Sequence, residues 1–173
     1  GAWLVRGSDG QAQAFILTVC LDQSSEADTH RDPTIRAIWE YLQKKSLLKP
    51  GDVAAVTRFI VDNETYQTVS PRTASFIVTL LRHWLTMPNL KFAFNILADP
   101  EVWEPHALSS DFFKPEEELQ FKHGERTMGV FMQDWREEPP SAWLARIASL
   151  PQQTGLTFPE QMPSTNIEHQ LLE

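Results

Sequence analysis

The sequence predicts a single α+β domain: a mostly antiparallel sheet with a ferredoxin-like βαββαβ order of elements, extended by a C-terminal β-hairpin and a helix. Three observations carry this prediction. Runs of β-forming residues alternate with two segments of helical apolar spacing, each helical segment opens on a capping residue followed by proline, and two further strand-like runs flank a His-Gly pair. A chain of 173 residues can bury one core without covalent staples. Residues 1–150 are assigned to the domain and 151–173 to a proline-rich surface tail.

Residues 3–6 and the nearly all-apolar run 14–21 read as an antiparallel pair joined at Gly7-Ser8-Asp9-Gly10. That glycine-rich tetrad is not a phosphate cradle, because a β-rich run follows it where a cradle needs a helix. Asp32-Pro33 starts a helix with a side-chain cap and a proline whose missing N–H costs nothing in the first turn. Ile35, Ile38, Trp39 and Leu42 form its buried stripe, and Lys49-Pro50-Gly51 stops it.

Residues 53–61 read as the next strand, with Asp62-Asn63-Glu64 reversing the chain into a short strand at 66–69. Ser70-Pro71 opens a second helix whose Phe76, Ile77, Leu80, Leu81, Trp84 and Leu85 make a broad apolar face before Pro88. Leu90, Phe92, Phe94 and Ile96 then alternate with Lys91, Ala93 and Asn95, the pattern of a strand with one apolar face. The two helical stripes and this strand are expected to share one core.

Residues 98–117 are punctuated by prolines without periodicity and read as an irregular loop. Residues 118–135 read as a hairpin reversing at His123-Gly124, and 141–150 as a helix burying Trp143, Leu144, Ile147 and Ala148. In the tail, Thr165-Asn166-Ile167-Glu168 fits a capping box and admits a short terminal helix through Leu172.

Composition narrows the function classes. With 15 Lys+Arg against 23 Asp+Glu, the formal charge is -8, which opposes binding to a phosphate backbone and excludes nucleic acid as a partner. RNA binding on a sheet face would rest on Phe92 and Phe94, with Lys91 the one base beside them. The single Cys rules out an intrachain disulfide framework and fits a cytoplasmic or other reducing compartment. No apolar run approaches the roughly 18 residues that span a bilayer, so the chain reads as soluble, without membrane insertion. Its start at Gly1-Ala2-Trp3 rather than Met points to a processed protein or an excised domain.

Nucleophile elbows, zinc helices, CxxC pairs, P-loops and dinucleotide fingerprints are all absent, and no cofactor is expected. Cys20, among apolar neighbours in a strand, reads as an inert thiol. His30, between Asp28 and Asp32, has no local nucleophile to serve, and His83 beside Leu80 and Trp84 reads as structural. Asp99, Glu101, Glu104 and His106 bring oxygen and imidazole donors into one segment, but their spacing follows no calcium-loop grammar, and no metal is assigned. Glu116-Glu117-Glu118 reads as a solvated acidic face.

The aromatic residues carry more information. Trp103, Phe112 and Phe113 lie in the aperiodic segment 98–117, and with Glu101 and Glu104 they resemble an aromatic interface centre inside an acidic rim. The leading expectation is a noncatalytic acidic protein-interaction module: a complex subunit, adaptor, secretion chaperone or toxin-neutralising protein that binds a basic or amphipathic protein. The alternative is an enzyme or small-ligand-binding protein whose pocket is built from dispersed residues such as His30, Asp99 and His106.

Overall fold

A computed structural model describes residues 1–23, 25–68, 71–114, 119–149 and 167–168. One sheet runs through it in the order β5-β6-β4-β3-β2-β1-β7. β1 (Ala2–Arg6) and β2 (Ala12–Leu21) form the expected antiparallel pair across the Gly7–Gly10 turn. Gly10 closes that turn at φ 77°, a conformation glycine adopts without steric cost.

After α1 (Glu26–Thr29), α2 (Pro33–Lys44) starts where Asp32 Oδ1 accepts from the backbone N–H groups of Thr34 and Ile35, at 2.9 and 3.3 Å. β3 (Val53–Asp62) pairs antiparallel with β2, and α3 (Pro71–Thr86) carries the chain to β4 (Leu90–Ala98), which is parallel to β3. α4 (Pro100–Ser109) follows. The hairpin of β5 (Phe121–His123) and β6 (Arg126–Asp134) adds to the far side of β4, and α5 (Pro140–Ser149) follows it. The α+β class, the single domain, the mostly antiparallel sheet and the added C-terminal hairpin and helix all match the sequence expectation.

The ferredoxin-like order does not hold, because the strand expected at 66–69 does not form. Asp62 Oδ1 takes the N–H groups of Glu64 and Thr65, at 2.9 and 3.0 Å, and Tyr66 turns through a positive φ of 58°. A backbone held in this turn cannot extend into a ladder. Val69 lies outside the described residues. β3, α3 and β4 therefore make a parallel crossover unit in place of two antiparallel strands.

The expectation of one shared core also fails. Ile35, Ile38 and Leu42 of α2 pack with Ala54, Val56, Phe92, Phe94 and Ile96 on one face of the sheet. Phe76, Leu80 and Trp84 of α3 pack with Ala55, Ile60, Ala93 and Leu97 on the other. The central strands are covered on both sides, so Ala93 and Leu97 are buried, as Phe92 and Phe94 of the opposite face are.

Part of the segment read as an irregular loop is α4. Pro100 fits its first turn, and Pro105 sits on an exposed side, where losing one intrahelical hydrogen bond is tolerated. The terminal helix expected through Leu172 lies outside the described residues except at Ile167–Glu168, which form the two-residue β7 against Leu4 and Val5 of β1.

Candidate functional site

Opening of the parallel pair creates the site. Along the β2–β3 ladder Leu17 faces Phe59 while Thr18 faces Thr57, so Arg58 is an extra residue in β3. Such a bulge bends its strand and raises its local twist. Pairing between β3 and β4 ends at Thr57–Asn95, although β3 continues to Asp62 and β4 to Ala98. The two strands separate at the bulge.

Backbone groups exposed by this separation need partners. The side chain of Gln67 supplies them on β4: its Oε1 accepts from the Ala98 N–H at 2.6 Å and its Nε2 donates to the Ile96 carbonyl at 3.4 Å. Gln67 is itself buried, at 4% exposure, so a side chain from the turn takes the place of a neighbouring strand.

Above the opening, on the face covered by α3, lies an apolar cavity of about 90 Å³. Ile60 and Leu97 of the separated strands, Trp84 of α3, Trp103 of α4, and Phe112 and Trp143 are among the residues of its wall. Its polar contributors are Asn95, His106 and Ser110; no Lys, Arg, Asp or Glu is among the described residues that line it. Two buried polar atoms of this lining have no hydrogen-bond partner among the described residues, Oδ1 of Asn95 and Nε1 of Trp84.

Trp143 is fixed in the wall by its indole N–H, which donates to Asp111 Oδ2 at 3.0 Å. The same carboxylate oxygen pairs with Arg146 at 2.6 Å, and Arg146 also reaches Glu138 at 2.8 Å. The hydrogen bond from Arg146 is the main cause holding the Glu138 carboxyl below its ordinary range. A second, more polar cavity of about 130 Å³ lies beyond Trp103, between Tyr66, Gln67, Asp99 and Arg126. Tyr66 and Asp99 both have positive φ, 58° and 52°, and the Arg126 guanidinium lies 4.9 Å from the Tyr66 ring centre.

The expected site residues fall in different places. Trp103 and Phe112 are buried, at 9% and 8% exposure, and face the apolar cavity rather than solvent. Phe113 is 40% exposed and forms a backbone bridge to Met132. Glu101 is exposed, and Glu104 pairs with Lys114 at 2.7 Å. Asp99 and His106 line different cavities, and His30 is exposed at the end of α1. Among the described residues no three His, Cys, Asp or Glu side chains converge as metal ligands. Cys20 is exposed rather than enclosed, and partial burial is the main cause raising its thiol above the ordinary range.

Asn95 and Gln67 did not stand out in the sequence. Asn95 looked like an outward residue of a strand with one apolar face; the available signal was that Ala93 and Leu97 on its own side are apolar too. Gln67 carried no signal, because its role depends on where β3 leaves β4.

No protein-family model matches the chain, and no curated protein sequence does. Solved structures similar to it include these two. Arabidopsis thaliana NAA60 in complex with a bisubstrate analogue is 10% identical, with a TM-score of 0.48 over 77% of this chain and 74% of that one. Mosquito arylalkylamine N-acetyltransferase like 5b is 9% identical, with a TM-score of 0.49 over the same shares. At these identities the likeness concerns fold alone.

The expected noncatalytic acidic interaction module is corrected here. Within this chain, two of the three rings that were to anchor a protein partner are buried in a cavity wall. No helix among the described residues is long and apolar enough to cross a membrane.

Proposed function

We propose that this chain binds a small, mainly apolar ligand in the cavity where β3 and β4 separate, and that it belongs with enzymes or small-ligand-binding proteins. One observation carries the reading: a bulged parallel strand pair opens directly beneath an aromatic-walled cavity with few polar groups. Ligands of sheets with parallel strands gather at the carboxyl ends of those strands, and an apolar cavity with a few placed polar groups is the usual form of a small-molecule site. At about 90 Å³ the space suits a short alkyl or acyl chain, since an apolar cavity of about 150 Å³ is known to admit benzene. Trp103 and Phe112 act as wall residues in this reading.

Protein-observed NMR with butan-1-ol and its three- to six-carbon homologues tests it. Saturable shifts of the Trp84, Trp103 and Trp143 indole signals are expected, and they should vanish in Ala107→Phe, which fills the lining from α4. Shifts that never saturate, or that persist in a folded Ala107→Phe protein, would remove the cavity as the site. Acetyl transfer to an arylalkylamine, the chemistry in the mosquito protein's name, is a separate assay. Activity abolished by Ala107→Phe would establish catalysis at the cavity.

A further inference from the structure

Polar atoms buried without partners are rare in folded proteins, and each such atom asks for an explanation. Here four of them form a pattern. Thr18 faces Thr57 across β2 and β3, and Thr57 faces Asn95 across β3 and β4, so the three residues make one transverse row beneath α3. Thr18 Oγ1, Thr57 Oγ1 and Asn95 Oδ1 all lack a hydrogen-bond partner among the described residues. Asn95 ends the row at the cavity, and Trp84, only 3% exposed, brings an unpartnered indole N–H to the same lining from α3.

We propose that the cavity selects a short apolar molecule carrying one neutral group that both donates and accepts a hydrogen bond, a hydroxyl or an amide. Asn95 and Trp84 are the residues that choose it. This inference rests on the cavity being the ligand site. The indole N–H can only donate, so it needs an acceptor on the ligand; a carboxamide oxygen can only accept, so it needs a donor. A hydroxyl or amide satisfies both, whereas a halide, ether or hydrocarbon of the same size leaves at least one buried group unpaired. An ionised group is disfavoured, because among the described residues no Lys, Arg, Asp or Glu lines the cavity to offset the loss of its hydration.

The test compares butan-1-ol with 1-chlorobutane, molecules of similar size and shape, by NMR titration of the intact protein. Butan-1-ol is expected to bind about tenfold more tightly, the combined effect of two ordinary hydrogen bonds, and to move the Trp84 indole N–H signal downfield. Asn95→Leu, which keeps the branched shape of the side chain but removes its polar atoms, should erase most of that preference while 1-chlorobutane still binds. Trp84→Phe should reduce the preference in the same way.

If both compounds bind the wild type equally, the cavity stands but the selectivity is wrong, and bound water serves the unpartnered atoms. A preference left intact in both variants overturns the assignment to Asn95 and Trp84. If neither compound binds the wild type, the cavity reading fails and this inference falls with it.

Discussion

Arg58 Nε donates to Asp32 Oδ2 at 2.6 Å, joining the extra residue of the β3 bulge to the N-cap of α2. One carboxylate thus caps a helix through Oδ1 and holds the bulged strand through Oδ2. The bulge that opens the sheet on the α3 face is anchored by the helix on the opposite face. Burial alone would raise the Asp32 carboxyl, but hydrogen bonding and charge from Arg58, with the N–H groups of Ile35 and Thr34, outweigh it and hold the group below its ordinary value.

A pH dependence follows from that direction. A carboxyl depressed in the folded state contributes stability above its unfolded value, near about 3.9, and loses it as pH falls through the folded value. Asp32→Ala should cost about 1–2 kcal/mol at neutral pH through the lost cap. The stability difference between wild type and Asp32→Asn, measured by urea titration from pH 7 to 2, should shrink below pH 4. A difference unchanged at pH 2 would show that the ionised carboxylate contributes nothing.

Gln67→Leu should destabilise the fold by about 1–3 kcal/mol, because it strips a buried backbone N–H of its acceptor while roughly preserving volume. The effect is local to the opened edge of β4. Hydrogen exchange at the Ala98 amide should therefore accelerate more than exchange at Phe94, which lies on the paired part of the strand. Equal acceleration at both would mean that Gln67 acts only through global stability.

Gly129 lies in β6 opposite Leu97, where an added Cβ would come within 2.5 Å of Pro100 Cβ. A proline ring at the start of α4 cannot swing away as a long side chain would. Gly129→Ala should cost about 1–3 kcal/mol and push α4, with its cavity residue Trp103, off the sheet. Paired thermal melts and butan-1-ol titrations would show both effects, whereas a neutral melt would mean that α4 packs more loosely than the contact implies.

Two cores on opposite faces of one sheet imply separable energetics. Ile38→Ala and Leu80→Ala remove fully buried side chains from different faces, and each should cost about 2–5 kcal/mol. Residues without shared partners add within about 0.5 kcal/mol. A double mutant departing from the sum by more than about 1 kcal/mol in denaturant melts would show that the sheet transmits strain between the two cores.

Local chemistry alone determined the hairpin at Gly7–Gly10, the capped and proline-started α2, α3 with Phe76, Leu80 and Trp84 of its apolar face, β4, and the β5–β6 hairpin, because each is written in a turn residue, a cap or a periodicity a few residues long; Ile77 and Leu85, read into the same face, are exposed. α4 escaped notice because its apolar residues follow no clear stripe and Pro105 interrupts it. Only the tertiary structure decided that β4 lies parallel to β3, that both faces of the central strands are covered, and that Trp103 and Phe112 turn inward around a cavity. The reason is the same in each case. Arg58 is an extra residue only because Leu17 and Thr18 of β2 pair with Phe59 and Thr57 on either side of it, Gln67 satisfies β4 from a turn 29 and 31 residues before the groups it meets, and Asn95 and Trp84 share a wall only once α3 crosses the strands. Long-range pairing sets such relationships, and no short stretch of this sequence contains them.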